Sequence, residues 1–509
     1  MSGIAARRGS PTPPIALARD AAAVTARLDT GFVDVDDACL ERLRGACASV
    51  TTDPATLTEA SRDWWPLAMI WALDGEVAAR AAAVAAPTSA AEVVAVLRVC
   101  NEVGVPVTAA GGRSGVCGAS VPLYGGVVLD LCGLNGIVDV DTESMVLDVR
   151  PGTFGDVLED ELRSSYGVTV GHWPQSVDLS TVGGWLACRG AGQYSTRYGK
   201  IEDMVVGIDV ALADGRTITT GGAPRAAVGP DLTQLFVGSE GTLGIITGAR
   251  LRIHPVPSAE RRSAYRCPSF EAGLDACRRI MRRGATPAVL RLYDSIEGNR
   301  NFQTGEDVHP LLVLDEGDPR VIDAVMAIVS EECDGASDLD GNDLLARWLE
   351  HRNDVSALEA LISRGYVVDT MEVAGRWRDL PGIYAAATDA LTGIEHTMVA
   401  SAHQSHSYLD GACLYFTFAG QPPPDEREAY YRDAWDAGTR AVLDNGGTLS
   451  HHHGVGLNRA RYVREALGDA FDVLAAAKEA LDPRGILNPG KLGLASPFGP
   501  SPAWPEADG

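Results

Sequence analysis

Four short segments in the first half of the chain limit its possible folds more than any other feature. They are AAGGRSGVCG (Ala109 to Gly118), QSVDLSTVGG (Gln175 to Gly184), CRGAG (Cys188 to Gly192) and GSEGTLGII (Gly238 to Ile246). Each mixes glycines with small residues, most of them with a hydroxyl. Glycine accepts positive φ and lets main chain approach a ligand closely. Successive N–H groups in such turns make concavities that bind anions. None is a Walker loop, because Gly-Lys-Ser/Thr is absent, and GRSGVCG lacks the Gly-x-Gly-x-x-Gly spacing of a Rossmann turn. Each segment alone is also simply a tight turn between strands. Together they demand a fold that brings four glycine loops to one ligand, and a diphosphate suits them.

The intervening sequence alternates helix and short strand. PTSAAEVVAVLRVCNEVG opens with a Ser89-to-Glu92 capping box, and Val93, Val96, Leu97 and Cys100 follow at helical spacing up to Gly104. VPVTAA, GGVVLDL, GIVDVD and SMVLDVRPG read as strands, and TFGDVLEDELRSSYG as a helix. From about Ser263 the texture becomes that of an antiparallel sheet backed by helices: AYRCPSF, EAGLDACRRIMRRG, PAVLRLYDS, HPLLVLDEG and RVIDAVMAIVSEEC, then ACLYFTFAG and a long helix. Residues 1 to about 80 read as a disordered start followed by helices, with RDWWPLAMIWALDG forming core or a lid.

A length of 509 residues implies at least two domains. The formal charge of −25 argues against binding a nucleic-acid backbone, although a few pocket arginines can still take a small anion. Ten scattered cysteines without a Cys-x-x-Cys pair indicate reduced thiols and a cytoplasmic protein. No apolar run is long enough to span a membrane, which leaves peripheral contact open, and the PAWPEADG end is no peroxisomal address.

GGTLSHHHGVG places His451, His452 and His453 in a row inside folded sequence. Imidazoles titrate near neutrality and serve in proton transfer or as metal ligands. If the triplet lies on a strand, neighbours face opposite sides. Only His451 and His453 then share a face, with His403 or His406 as further ligands. Proton transfer ranks above metal binding, and no metal ligand set is assigned.

The four loops in this order, with PTSAAEVV before them and IHPVP after, resemble the FAD-binding domain of the vanillyl-alcohol oxidase/p-cresol methylhydroxylase (PCMH-type) flavoprotein superfamily. GHWPQSVDLSTVGGWLACRGAGQYSTRYGKIEDMVVG, PAVLRLYDS, YLDGACLYFTFAG and NGGTLSHHHGVG resemble its alkyldihydroxyacetonephosphate synthase branch; the hydroxyacid dehydrogenases usually carry a Gly-Glu-His-Gly type sequence at the triplet. The resemblance implies an α+β fold: a PCMH-type FAD-binding domain of two α/β subdomains plus an antiparallel-sheet cap domain with flanking helices. It divides the chain into an N-terminal helical segment (1–80), the FAD domain (81–260), the cap or substrate domain (261–445), a segment with the triplet returning to the FAD domain (446–495) and a tail (496–509).

The same resemblance assigns roles. The FAD contacts fall on Ala109, Ala110, Gly111, Gly112, Arg113, Ser114 and Gly115 in the first loop. Gln175, Ser176, Ser180, Thr181 and Gly184 follow in the second, then Cys188 and Arg189, then Glu240, Gly241, Thr242, Gly244 and Ile246. The first loop has no histidine for covalent attachment, so non-covalent FAD is expected. Tyr415 matches a catalytic proton donor, His451, His452 and His453 the active-site histidines, and Arg291 and Arg352 substrate-binding arginines. The implied reaction exchanges the acyl group of acyl-dihydroxyacetone phosphate for a fatty alcohol through a flavin N5 adduct, in ether lipid synthesis. The ending LDPRGILNPGKL is closer to the D-lactate and glycolate dehydrogenases, which keeps an FAD-linked D-2-hydroxyacid dehydrogenase or oxidase in view. A flavin-binding scaffold with a lapsed site is a third reading. A homodimer is expected by analogy.

Overall fold

The computed structural model describes residues 7–28, 30–334 and 336–502. Residues 1–6 of the expected disordered start and 503–509 of the tail lie outside the described residues. Three sheets organise the rest. The first runs in the order Val50–Thr51, Ala83–Ala85, Val127–Asp130, Val107–Ala110. Its last three strands are parallel and Val50–Thr51 is an antiparallel edge. The second is antiparallel, in the order Thr217–Thr219, Val205–Ala211, Ile245–Arg252, Val146–Val149, Ile137–Asp141. The third is antiparallel and has seven strands: Ser337–Leu339, Ala259–Cys267, His309–Gly317, Val289–Tyr293, Thr397–Ser407, Gly411–Gly420 and Val367–Arg376.

Helix Ala90–Val103 follows from its sequence pattern. Val93, Val96, Leu97 and Cys100 are buried against Val107, Val127 and Leu129 of the first sheet. Ser89 Oγ accepts the Glu92 N–H, and Gly104, at φ 76°, ends the helix in the left-handed region. The Glu92 carboxylate does not close the box on Ser89 as its spacing suggests. It takes the N–H groups of Thr88 and Ala48 instead, tying the helix start to the preceding segment.

Side chains alternate along each strand of the third sheet, so one face carries a continuous apolar core, and the other is polar around Glu372, Tyr415 and His403 and apolar where Leu312 and Leu314 join Trp348. Leu290, Leu292, Phe416 and Phe418 face a core shared with helix Phe270–Arg282 and with Tyr431 and Trp435 of helix Arg427–Asp444. The N-terminal tryptophans join this core. Trp65 Nε1 donates to Tyr431 Oη (3.0 Å) and Trp71 Nε1 to Glu428 Oε2 (3.0 Å). RDWW is thus core rather than lid. The stretch before Asp37 is not loose either: Ile15 and Val24 are buried, and Thr25–Ala26 pairs in parallel with Glu76–Val77. Among the described residues no helix is long and apolar enough to cross a membrane.

Candidate active site

The glycine loops converge through contacts that only glycine permits. A Cβ on Gly111 would run into Thr181 Oγ1, and one on Gly112 into the Leu179 carbonyl oxygen. The first loop therefore rests on the second. Gly241, at φ 72°, lies against Ala109, so the last segment meets the end of strand Val107–Ala110.

The sequence-selected side chains divide into two groups. Several are engaged inside the protein. Arg113 pairs with Asp130 (2.8 Å), Arg189 donates to Gln234 Oε1 (2.9 Å), and Thr242 Oγ1 donates to the Ser239 carbonyl (2.7 Å). Ser180 Oγ donates to the Ser176 carbonyl and accepts from Trp185 Nε1, while Thr181 caps helix Val182–Cys188 through the Gly184 N–H. Gly244 and Ile246 are buried at the start of their strand. The other group remains open: Ser114 and Ser176 are half-buried, Gly115 and Gln175 are exposed, and Ala110 is buried behind them.

Among the described residues, the N–H groups from Gly112 to Cys117 form no hydrogen bond. Six successive main-chain donors without a protein acceptor, on a loop two of whose glycines exclude any Cβ, fit the diphosphate of FAD.

The polar face of the third sheet carries the second half of the site. Glu372 is directly opposite Tyr415, Tyr415 opposite His403, and His403 opposite Tyr293. Directly opposed residues share a face, so four strands present one row of functional groups. The Tyr415 ring is stacked on His403 (4.8 Å between centroids, 18°). Burial raises the Tyr415 pKa, so the phenol stays protonated at neutral pH. His403 Nδ1 is 2.9 Å from Glu297 Oε1, and Arg291 Nη2 is 2.6 Å from His403 Nε2. Burial and then Arg291 push that imidazole down to about 4, so it is neutral.

Arg291 and Arg352 both lie over the Trp348 ring, at 5.8 and 5.6 Å. Arg352 also lies 4.9 Å from the Tyr194 ring centroid. Among the described residues neither guanidinium has a carboxylate within 4.0 Å. Arg291 Nε donates to Tyr293 Oη (2.7 Å) and Arg352 Nη1 to Gln193 Oε1 (3.3 Å), so two arginines without a carboxylate partner stand at one indole.

The triplet is not on a strand. It occupies a loop after helix Arg427–Asp444, and this changes which histidines meet. His451 Nδ1 is 2.8 Å from His452 Nδ1, and His451 Nε2 is 2.9 Å from Tyr408 Oη. His406, His451 and His452 offer ligand atoms all within 4.8 Å of one another. The strand-based expectation that His451 and His453 pair is thus corrected; a bend turns the adjacent rings together. Burial keeps His406, His451 and His452 well below the ordinary histidine pKa, so they are neutral bases. His452 and His453 approach Tyr415 with centroids at 6.1 and 5.7 Å.

Glu372 organises the loop and was invisible in the sequence. Its carboxylate binds Arg459 through both Nη atoms (2.9 and 2.5 Å) and accepts from Ser450 Oγ (2.6 Å) and the N–H groups of His452 and His453. His453 Nδ1 lies 2.8 Å from Glu372 Oε2, out of line for a hydrogen bond but close enough for an ion pair. Burial acts to raise the Glu372 pKa, yet Arg459 and His453 outweigh it and hold the carboxyl well below its usual value. His406 and Lys200 were also missed. His406 Nδ1 is 2.6 Å from Ser195 Oγ, and Lys200 Nζ donates to the His451 carbonyl (2.7 Å). A further miss is His172, fully buried with neither ring nitrogen partnered and pushed down to about 3 by burial; it stands within the recognised GHWPQS stretch.

The cradle and the reaction face are stitched together. The Glu240 carboxylate accepts the N–H groups of Val455 (2.6 Å) and Gly456, just after the triplet. Leu457 and Asn458 N–H groups bond the Cys117 carbonyl in the first glycine loop (2.8 and 3.1 Å). Gly454 lies against Cys188 Cβ.

Comparison with known proteins agrees with this organisation. A family model described as an FAD binding domain matches residues 81–221, and one described as the C-terminal domain of FAD linked oxidases matches 256–492. The uncharacterised FAD-linked oxidoreductase YgcU of Escherichia coli O157:H7 is 33% identical over 411 residues, covering 76% of this chain and 83% of the relative. The alkyldihydroxyacetonephosphate synthase of Dictyostelium discoideum is 30% identical over 448 residues, covering 80% of this chain and 72% of the relative. A solved alkyldihydroxyacetonephosphate synthase structure superposes with a TM-score of 0.75 at 24% identity, over 96% of this chain and 90% of that one, a likeness of fold.

Proposed function

The chain belongs to the PCMH-type FAD-linked oxidase family and is an FAD-dependent enzyme, and on that premise we propose that it acts as an alkylglycerone-phosphate synthase, exchanging the acyl group of acyl-dihydroxyacetone phosphate for a fatty alcohol. The observation that carries this reading is the pairing of Arg291 and Arg352 at Trp348 with the Tyr415–histidine cluster on the same face. A phosphorylated ketone ester needs both an anion site and proton-transfer groups.

Non-covalent FAD is held by the main chain of Gly111 to Gly115 and by the loops at Ser176, Thr181 and Gly241. When bound, it supplies an electron-poor ring that accommodates the electron pair of the substrate carbon. The chain's own residues do the rest. Arg291 and Arg352 hold the phosphate. A neutral imidazole of the triplet takes the proton from the carbon between the ester oxygen and the ketone. Glu372 holds His453 in place, with Oε2 2.8 Å from Nδ1. Tyr415, protonated through its burial, gives its proton to the departing carboxylate oxygen. The fatty acid leaves, the alcohol oxygen bonds to the same carbon while its proton returns to Tyr415, and the imidazole gives its proton back to the carbon, so no net oxidation occurs.

The test is anaerobic. Acyl-dihydroxyacetone phosphate with a long-chain alcohol should yield the ether and free fatty acid without an electron acceptor. A second reading, an FAD-linked D-2-hydroxyacid dehydrogenase or oxidase, is favoured by one observation: the three imidazoles of His406, His451 and His452 within 4.8 Å could hold a divalent metal. That reading predicts flavin bleaching by a D-hydroxyacid and loss of the response on chelation.

A further inference from the structure

The first glycine loop has two sides. Its N–H groups from Gly112 to Cys117 are free, while four alternate carbonyls are taken by donors from outside the loop. Gly115 O accepts the Trp64 N–H (2.8 Å), and Cys117 O accepts those of Leu457 and Asn458. Ala119 O accepts from Asn488 Nδ2 (3.0 Å), and Val121 O from Lys491 Nζ (2.8 Å). Three of these four carbonyls are held by the segment after the triplet.

Asn488 and Lys491 are 1% and 0% exposed. Asn488 Nδ2 also donates to the Glu240 carbonyl (2.6 Å), so one side chain ties the first loop to the last. Lys491 has no carboxylate within 4.0 Å among the described residues; Glu240 and Asp63 are its nearest charges. Burying an ammonium for one carbonyl contact is costly. A packing role alone is served more cheaply by methionine.

We propose that Asn488 and Lys491 are positioning residues for FAD, pinning the Ala119–Val121 end of the first loop so that the free N–H groups of Gly112 to Cys117, which directly precede it, stay turned toward the diphosphate. A loop whose end is released can turn the Gly112–Cys117 peptides over, aiming oxygens rather than N–H groups at the phosphates. Because Leu457 and Asn458 grip the same loop four residues beyond the triplet, the cofactor loop and the imidazoles share one anchor. The proposal needs only the FAD assignment and is independent of which reaction follows.

The test uses the full-length chain stripped of flavin and titrated with FAD or with riboflavin, which has no phosphate. Asn488→Leu, which removes the donor of the Ala119 and Glu240 carbonyls, should weaken FAD by about thirtyfold, and Lys491→Met by about tenfold because the Val121 carbonyl keeps the Leu123 N–H; riboflavin should weaken by less than about threefold in both. Equal losses for both flavins, or unchanged FAD affinity, would overturn the proposal. Hydrogen exchange of the wild-type chain tests it without substitution. The amides of Gly112 to Cys117 should become protected when FAD binds; amides that go on exchanging in the saturated complex would contradict it.

Discussion

The cradle and the reaction face bury carboxyl groups in opposite electrostatic states. On the cradle side Asp63 has one oxygen without a partner, and burial pushes its pKa up to about 7. On the reaction face Glu372 is equally buried, yet Arg459 and His453 hold it well below the ordinary carboxylate range. On the proposed reading the cradle binds FAD by main chain, and its few buried charges support a loop. The reaction face would work by side chains, and its central carboxylate, held ionised by Arg459 and His453, keeps the imidazole loop in place. Where the ligand is a diphosphate, peptide N–H groups suffice; where protons move, fixed charges are required.

Substitutions can break this contrast. The largest effect is expected on the reaction face. Glu372→Ala leaves the Arg459 guanidinium buried without its partner and should cost about 3–5 kcal/mol of stability, read as the denaturation midpoint. A loss below about 1 kcal/mol would show that the network is not a structural hub. Tyr415→Phe keeps shape and stacking but removes the proton, so turnover should fall by about a thousandfold with FAD content unchanged. Near-normal turnover would remove Tyr415 from the mechanism.

On the cradle side, Gly112→Ala forces a methyl group into the Leu179 carbonyl, a backbone atom that cannot swing away. Purified protein should carry little FAD, with affinity reduced by about thirtyfold or more (roughly 2 kcal/mol). Full yellow colour would show that the two loops do not meet as described.

The smallest effect concerns pH and has opposite signs in the two regions. The folded pKa of Glu372 is depressed, so its contribution is complete above the ordinary carboxylate pKa and is lost as pH falls toward the folded value. The folded pKa of Asp63 is raised, so the folded state holds a proton that the unfolded chain has lost, and stability declines as pH rises from about 4 to about 7. Asp63→Asn should therefore flatten the change in melting temperature between these values. An unaltered slope would place the titration elsewhere.

What could be read in advance follows the same division. The glycine loops were legible because four such segments in one order are more than tight turns require, and Gly111 and Gly112 meet the second loop at positions where nothing larger fits. The helix Ala90–Val103 and the antiparallel third sheet were legible from their periodicity. The row Glu372–Tyr415–His403–Tyr293 was not, because it exists only once strand register aligns four distant segments. Glu372 in particular reads as one acidic residue within TMEVAG. The triplet was conspicuous, yet its geometry was misjudged, since strand alternation is not the geometry of the bend that turns His451 toward His452. Arg113, Arg189 and Glu240 were picked for the flavin by resemblance, and nothing in the sequence signalled that their side chains also engage Asp130, Gln234 and the Val455–Gly456 main chain.

The most direct measurement is a crystal structure of the chain with FAD bound. This account predicts the diphosphate against the N–H groups of Gly112 to Cys117 and the flavin ring in contact with the pocket shared by Tyr415 and the imidazoles of His451 to His453. A diphosphate elsewhere, or a ring separated from Tyr415 by intervening protein, would contradict it.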